Sequence, residues 1–74
     1  MAKFHRSLTL TTEERPKFKR AALDEMEKRG LTIPKLADEV GYSRKTVWAF
    51  FNDHNVVNKF LTGAIQQYLD LKWR

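Results

Sequence analysis

Apolar residues recur along the chain at the spacing of α-helical turns, in four separate segments. In the first segment they fall three or four positions apart, at Phe18, Ala22, Leu23 and Met26. Thr11 or Thr12 can cap the start of this helix, which places Pro16 within or near its first turn. Gly30 follows Lys28 and Arg29 and can adopt the left-handed conformation that ends many helices. The pattern predicts a first helix that ends before Gly30.

Two short helices are predicted next, one on each side of Gly41. Thr32 can cap the first, Pro34 suits its first turn, and its apolar positions are Ile33, Leu36, Ala37 and Val40. Ser43 can cap the second, which directs Val47, Phe50 and Phe51 inward and ends near Asn52.

A fourth helix is predicted from about Val57 to Lys72. Its apolar positions are spaced four, three, four and three residues apart, at Val57, Leu61, Ala64, Tyr68 and Leu71. No segment has the alternation of a hairpin, although Leu8 to Leu10 could be extended. We therefore expect an all-α chain with an irregular basic arm over residues 1–10 and one helical domain over residues 11–74.

Length and composition narrow the class of protein. Seventy-four residues make one small domain, and the absence of cysteine excludes disulfides and thiolate chemistry. The apolar runs are too short to span a bilayer, and residues 1–6 contain no apolar signal core, so we expect a cytoplasmic protein without a membrane partner. We expect no cofactor, metal or small-molecule ligand, because His5 and His54 lie far apart and no catalytic motif occurs. An enzyme is not expected.

The charge suggests a polyanionic partner. The formal net charge is +5 and the sequence pI is about 9.8, which suits nucleic acid but also ordinary solubility. Between residues 42 and 52 the only charged residues are Arg44 and Lys45, and Lys3 and Arg6 lie in a segment without acids. Two basic surfaces free of carboxylates are therefore possible.

Residues 32–52 have the features of a helix-turn-helix. Ala37 is small where two helices must approach closely, and Gly41 tolerates positive φ at the turn. Apolar residues stand where the pair must attach to the rest of the domain, at Leu36, Val40, Tyr42, Val47 and Phe50. Any one of these positions is weak evidence, but the set within one window is fairly specific.

The stretch LTIPKLADEVGYSRKTVWAFFNDHNVVNKF resembles the amino-terminal domain of phage lambda repressors. The similarity extends over about residues 8–70 and is strongest over residues 30–60. It depends on Leu31, Ala37-Asp38, Gly41, Val47, Ala49, Phe51-Asn52, Asn55 and Asn58. The resemblance implies a compact four- to five-helix domain whose third helix, at about 44–52, enters the major groove of an operator in double-stranded DNA. It also implies a transcriptional regulator of the repressor type that binds a pseudo-palindrome as a homodimer and is nucleoid-associated when bound.

Base contacts are expected from the third helix and the loop after it. Arg44 offers two donors for the O6 and N7 atoms of guanine, and Lys45 can do the same or bind a phosphate. Thr46 and Ala49 are small enough to approach a thymine methyl group, or they are ordinary helix positions. By resemblance, Asn55 reaches a base edge beyond the helix. The alternatives are a solvated surface pair at 44–45 and a loop-forming asparagine at 55.

Phosphate contacts are expected around the third helix. Ser43 is first an N-cap and second a phosphate ligand. By resemblance, Asn52 and Asn58 hold phosphates, with capping as the alternative. Further phosphate contacts are expected from Lys19 in the first helix and from Lys3 and Arg6 in the arm. The alternatives are a solvated lysine at position 19 and a frayed terminus at positions 3 and 6. Trp48 should face outward, and its role is open.

The sequence departs from the lambda repressors at two places. Ile33 stands where the family commonly has a glutamine that links a phosphate to the recognition helix. The chain ends at Arg74 without the fifth helix through which those domains pair. A dimer would then use the end of helix four with Tyr68, Leu71 and Trp73, unless these residues belong to the core.

Two alternatives to a repressor stay open. One is the DNA-binding module of a recombinase, plasmid-maintenance or architectural protein. The other is a helical module that binds a protein partner.

Overall fold

The computed structural model of the chain describes residues 7–53 and 57–73. This part of the chain forms four helices, α1 (Glu14–Arg29), α2 (Ile33–Val40), α3 (Arg44–Asn52) and α4 (Lys59–Tyr68), and contains no strand. The predicted all-α class is confirmed. The predicted contacts of Lys3, Arg6 and Asn55 lie outside the described residues.

The start of α1 is fixed by a reciprocal cap. The Glu14 N–H donates to Thr11 Oγ1 at 3.2 Å, and the Thr11 N–H donates to Glu14 Oε1 at 2.9 Å. The residue directly before the helix is Glu13, so the prediction that Thr11 or Thr12 is the N-cap was wrong, although Thr11 makes the reciprocal bond with Glu14. Pro16 is the third residue of the helix, where a missing N–H breaks no helical hydrogen bond.

The turn between α2 and α3 is formed by Gly41, Tyr42 and Ser43. Gly41 has φ 79°, a left-handed conformation that glycine adopts without strain. Its N–H and that of Tyr42 both donate to the Ala37 carbonyl, at 3.0 and 3.1 Å. Ser43 Oγ then accepts from the Thr46 N–H at 3.1 Å and caps α3. Local chemistry thus sets the length of α2 and the first residue of α3, as the sequence predicted.

One core joins the four helices. α2 packs against both α3 and α4, and α1 contributes its buried face. The largest fully buried side chains are Phe18, Phe50, Leu36, Leu61, Ile65, Leu69, Val40 and Val47. Leu10 is also buried, and the Leu8 N–H donates to the Lys59 carbonyl at 3.0 Å, so the described end of the predicted arm lies on the domain.

The start of α4 differs from its predicted position. Asn58 Oδ1 accepts from the N–H groups of Phe60 and Leu61, at 3.1 and 3.0 Å, so the helix begins at Lys59. Val57 precedes the helix and is 58% exposed, so its assignment to the apolar face was wrong. On α1, Leu23 shares the apolar spacing but is 39% exposed.

The end of α4 also comes earlier than predicted. The helix ends at Tyr68, and Asp70 has φ 54°, so the chain leaves the helical path there. The Leu71 N–H donates to the Gln66 carbonyl at 3.0 Å, and Gln66 Nε2 donates to the Leu71 carbonyl at 2.6 Å. These bonds fold the last residues back toward the domain.

The returning segment is held against α1. The Trp73 ring meets Phe18 edge to face, with centroids 5.4 Å apart and an interplanar angle of 88°. Arg29 Nη2 donates to the Leu69 carbonyl at 2.9 Å.

Within the described ranges, none of the helices is both long and apolar enough to cross a membrane.

Candidate nucleic-acid interface

Four side chains of α3 are exposed and form one strip along the helix. At about 100° per residue, Arg44, Lys45, Trp48 and Asn52 occupy about 100° of its circumference, with Trp48 near the middle. We call this set the α3 strip. Val47 and Phe50 are buried on the other side and anchor the helix. The sequence thus builds a helix with one buried face and one polar, cationic face.

Arg44 has a carboxylate neighbour that the sequence analysis did not anticipate. Its Nη2 lies 3.4 Å from Asp38 Oδ2 of α2, and the two side chains are 68% and 56% exposed. The expectation of an acid-free surface around α3 was therefore wrong, because the turn brings α2 alongside. Such an exposed pair contributes only about 0–1 kcal/mol, so the guanidinium remains able to change partner. Lys45 is exposed and makes no ion pair within the described ranges.

Thr46 and Ala49 are half-buried and lie outside the α3 strip, Ala49 about 40° beyond Lys45 and Thr46 about 100° beyond it. The hydroxyl groups of Ser43 and Thr46 are 2.6 Å apart, so both are engaged in the cap of α3. Ser43 has the capping role that the sequence gave first. Its contact with a phosphate, and the base contacts of Thr46 and Ala49, stay predictions.

Asn52 and Asn58 each have a local structural role. Asn52 Nδ2 donates to the Trp48 carbonyl one turn earlier, at 2.9 Å. Asn58 caps α4 through Oδ1, which leaves its Nδ2 group unused by the cap. The capping alternative is confirmed for Asn58, whereas Asn52 is the last residue of α3 and Asp53 is its C-cap. Each amide keeps donor hydrogens that could meet a phosphate. Their phosphate contacts stay predictions.

Lys19 connects α1 to the carboxyl end of α3. Its Nζ donates to the Asp53 carbonyl at 3.2 Å and lies 4.8 Å from the centre of the Phe50 ring. The residue is only 6% exposed, so the alternative of a solvated lysine was wrong. Burial lowers the pKa of Lys19 below its ordinary value of 10.5, and the nearby Arg15 lowers it further, while Asp53 acts in the opposite direction. Lys19 therefore carries a charge that the fold destabilises.

Apolar side chains are exposed near this surface and at the start of α4. Trp48 is 59% exposed, which confirms that it faces outward. Val57 and Phe60 are 58% and 56% exposed, and Lys59 Nζ lies 5.3 Å from the centre of the Phe60 ring. Phe60 was not among the residues to which the sequence pattern gave a role.

The residues suggested for dimerisation pack against the core. Tyr68, Leu71 and Trp73 are each half-buried, and Trp73 lies on Phe18. This geometry favours the core assignment that the sequence analysis kept as the alternative. Dimerisation stays a prediction.

Residues 7–53 and 57–73 form no pocket, and no group of three metal-ligating side chains occurs among them. The interface candidate is the α3 strip. No protein family, curated protein or solved structure matches the chain.

Proposed function

We propose that the chain is a sequence-specific transcriptional regulator that binds double-stranded DNA through a lambda-repressor-like helix-turn-helix, formed by α2, the turn and α3. The observation that carries this proposal is the α3 strip. It presents two cations, an amide and an indole on a helix without carboxylates, and the helix is fixed in place by buried Val47 and Phe50.

The dimensions and chemistry of α3 suit the major groove. An α-helix with side chains is about 10–12 Å wide, and the major groove of B-DNA is about 12 Å wide. Arg44, in the first turn, would place its two parallel N–H donors on the O6 and N7 atoms of guanine. Lys45 would read a base or neutralise a phosphate. Asp38 would lose its ion pair with Arg44 when the DNA binds.

Phosphate contacts would surround the inserted helix. Lys19 stands beside the carboxyl end of α3, and the amides of Asn52 and Asn58 lie at that end and at the start of α4. A buried lysine whose charge is destabilised in the free protein would gain an anionic partner in the complex. The lysine charge that burial destabilises in the free protein would then contribute to DNA binding.

The regulatory part of the proposal is a repressor of phage or mobile-element type. Two copies would bind a pseudo-palindrome with recognition helices about 34 Å apart, one helical turn of DNA. The protein would act in the cytoplasm, associated with the nucleoid when bound.

Replacing Arg44 with alanine tests the role of α3. Arg44→Ala should weaken binding to the selected site by about 1–3 kcal/mol and relax the preference at one base pair of each half-site. The matched control is Arg20→Ala, which removes another exposed arginine with an ion-pair partner, Asp24, from α1. The control should leave every base preference unchanged. An Arg44→Ala variant with unchanged affinity and preference would show that α3 is not in the groove.

A protein-binding module is the second candidate, and exposed Trp48, Val57 and Phe60 favour it. It predicts weak or salt-insensitive binding to DNA, and the Arg44→Ala variant would then behave like the wild type.

A further inference from the structure

The α3 strip contains one large apolar side chain, and its position is central. Trp48 is 59% exposed and lies between Arg44 on one side and Lys45 and Asn52 on the other. Thr46 and Ala49, the small residues that could approach a methyl group, are half-buried and lie outside the strip. A surface that covers the whole strip therefore covers the indole.

The backbone at Trp48 is fixed by the helix that carries it. Val47, the preceding residue, is fully buried. The Trp48 carbonyl accepts a hydrogen bond within the helix and a second one from Asn52 Nδ2, at 2.9 Å. An exposed tryptophan costs free energy in water, and its only polar atom is a single N–H donor. The charge around it on α3 is positive, which suits an anionic ligand that also offers apolar contact.

The floor of the major groove offers such contact at one kind of atom. Base edges there present hydrogen-bond donors and acceptors, and the apolar exception is the 5-methyl group of thymine. A phosphate row, by contrast, would place charged oxygens against the apolar faces of the indole.

We infer that Trp48 is a specificity-determining residue that reads the 5-methyl group of a pyrimidine in the major groove. The inference rests on the proposed function and adds to it the chemical class of the base that α3 selects. The recognised site should contain one thymine in each half-site under Trp48, beside the base pair that Arg44 contacts.

Deoxyuridine substitution tests this inference directly, because deoxyuridine differs from thymidine only by the methyl group. Each thymine of the selected duplex is replaced in turn, and affinity is measured for the wild type and for Trp48→Ala. One replacement in each half-site should weaken wild-type binding about fourfold, the value of one buried methyl group. Trp48→Ala should bind at least about tenfold more weakly and lose this sensitivity.

Two further variants separate recognition from general loss of apolar surface. Trp48→Phe should keep most of the sensitivity to the methyl group. Phe60→Ala removes an aromatic ring of similar exposure outside α3 and should keep all of it. Because Trp48 is exposed, its alanine variant should fold, and its circular dichroism should match that of the wild type.

Fluorescence gives a second readout. The chain has two tryptophans, and Trp48 is the only indole in a Trp73→Phe variant. Binding of the selected duplex should shift its emission to shorter wavelength as the indole leaves water.

The outcomes distinguish the inference from the proposed function. Absence of binding to any duplex would overturn both. Binding to a selected site with equal deoxyuridine effects in the wild type and in Trp48→Ala would overturn the inference alone. So would a Trp48→Ala variant that reduces the salt dependence of binding by one phosphate contact, or emission that does not shift.

Discussion

Replacing Lys19 with methionine separates the stability of the fold from its proposed function. Lys19 is 6% exposed, donates to the Asp53 carbonyl at 3.2 Å and lies 4.8 Å from the Phe50 ring centre. Methionine keeps a flexible apolar stem of similar length and removes the ammonium group. Comparison of this variant with the wild type therefore measures what the buried charge contributes to stability and to DNA binding.

The expected change in the free energy of unfolding is small and stabilising. Losing the hydrogen bond removes about 1.5 kcal/mol, and losing the cation–π contact about 1 kcal/mol. Against this, a buried ammonium group costs several kcal/mol of desolvation, which methionine avoids. The lowered pKa of Lys19 shows that burial, with the repulsion from Arg15, outweighs the attraction of Asp53. We therefore expect Lys19→Met to unfold with the same free energy as the wild type or up to about 1 kcal/mol more.

The sign of the pH dependence follows from the same shift. The folded-state pKa of Lys19 is lower than 10.5, so between these two values the unfolded chain binds more protons. Wild-type stability should rise with pH through this window as the folded-state lysine loses its charge. Lys19→Met lacks this contribution, so its advantage should shrink between pH 7 and pH 10. Other titrating groups occur in both proteins and cancel in the difference.

Urea unfolding followed by circular dichroism at both pH values measures the effect. Lys17→Met changes an exposed lysine of the same helix and should alter stability by less than about 0.5 kcal/mol. With the selected DNA, Lys19→Met should lower affinity and reduce the salt slope by about 0.9, one phosphate contact. A loss of more than about 1 kcal/mol of stability at pH 7 would refute the reasoning, because the hydrogen bond would then outweigh desolvation.

Three further predictions concern the cap, the carboxyl-terminal segment and the acid beside α3. Ser43→Ala should lower the free energy of unfolding by about 1 kcal/mol in urea, because the first turn of α3 loses its cap. Trp73→Ala should cost about 2–3 kcal/mol through its contact with Phe18. Trp73→Phe should cost less than about 1 kcal/mol, because it keeps an aromatic edge and removes a buried N–H without a partner among the described residues. Asp38→Asn should strengthen DNA binding severalfold in a titration, because it frees Arg44.

Each of these has a matched control. Thr12→Ala removes an exposed hydroxyl just before α1 and should leave stability unchanged, unlike Ser43→Ala. Asp24→Asn makes the same charge change as Asp38→Asn but frees Arg20, so it should raise affinity less. Equal effects of the two asparagine variants would mean that only net charge matters. A concentration-dependent loss of stability in Trp73→Ala would indicate that Trp73 contacts a second copy rather than Phe18.

Local chemistry explains why the helices could be predicted from the sequence. Thr32 and Ser43 bond N–H groups three residues ahead, and Gly30 and Gly41 adopt positive φ, so each signal acts within one turn. The bounds of α4 were missed for the same kind of reason. Apolar spacing extended the helix past Asn58, whose capping bonds prevent this.

Tertiary contacts explain what could not be predicted. Lys19 meets the Asp53 carbonyl across 34 residues of sequence, and composition does not show that it is buried. Asp38 and Arg44 lie only six residues apart, but the turn at Gly41 decides that they face each other. The residue types of the candidate site could therefore be predicted from the sequence. The balance of charges in the site could not, because it depends on how α1 and α2 pack around α3.

Selection from random duplex DNA at two salt concentrations tests the central claim most directly. We predict enrichment of a two-fold symmetric site with a guanine in each half-site, and weaker binding to that site at the higher salt concentration. The Arg44→Ala variant should lose the preference for this guanine. Salt-dependent binding without enrichment would indicate an architectural DNA-binding protein. Absence of binding at both salt concentrations would contradict the account and identify the α3 strip as a surface for another kind of partner.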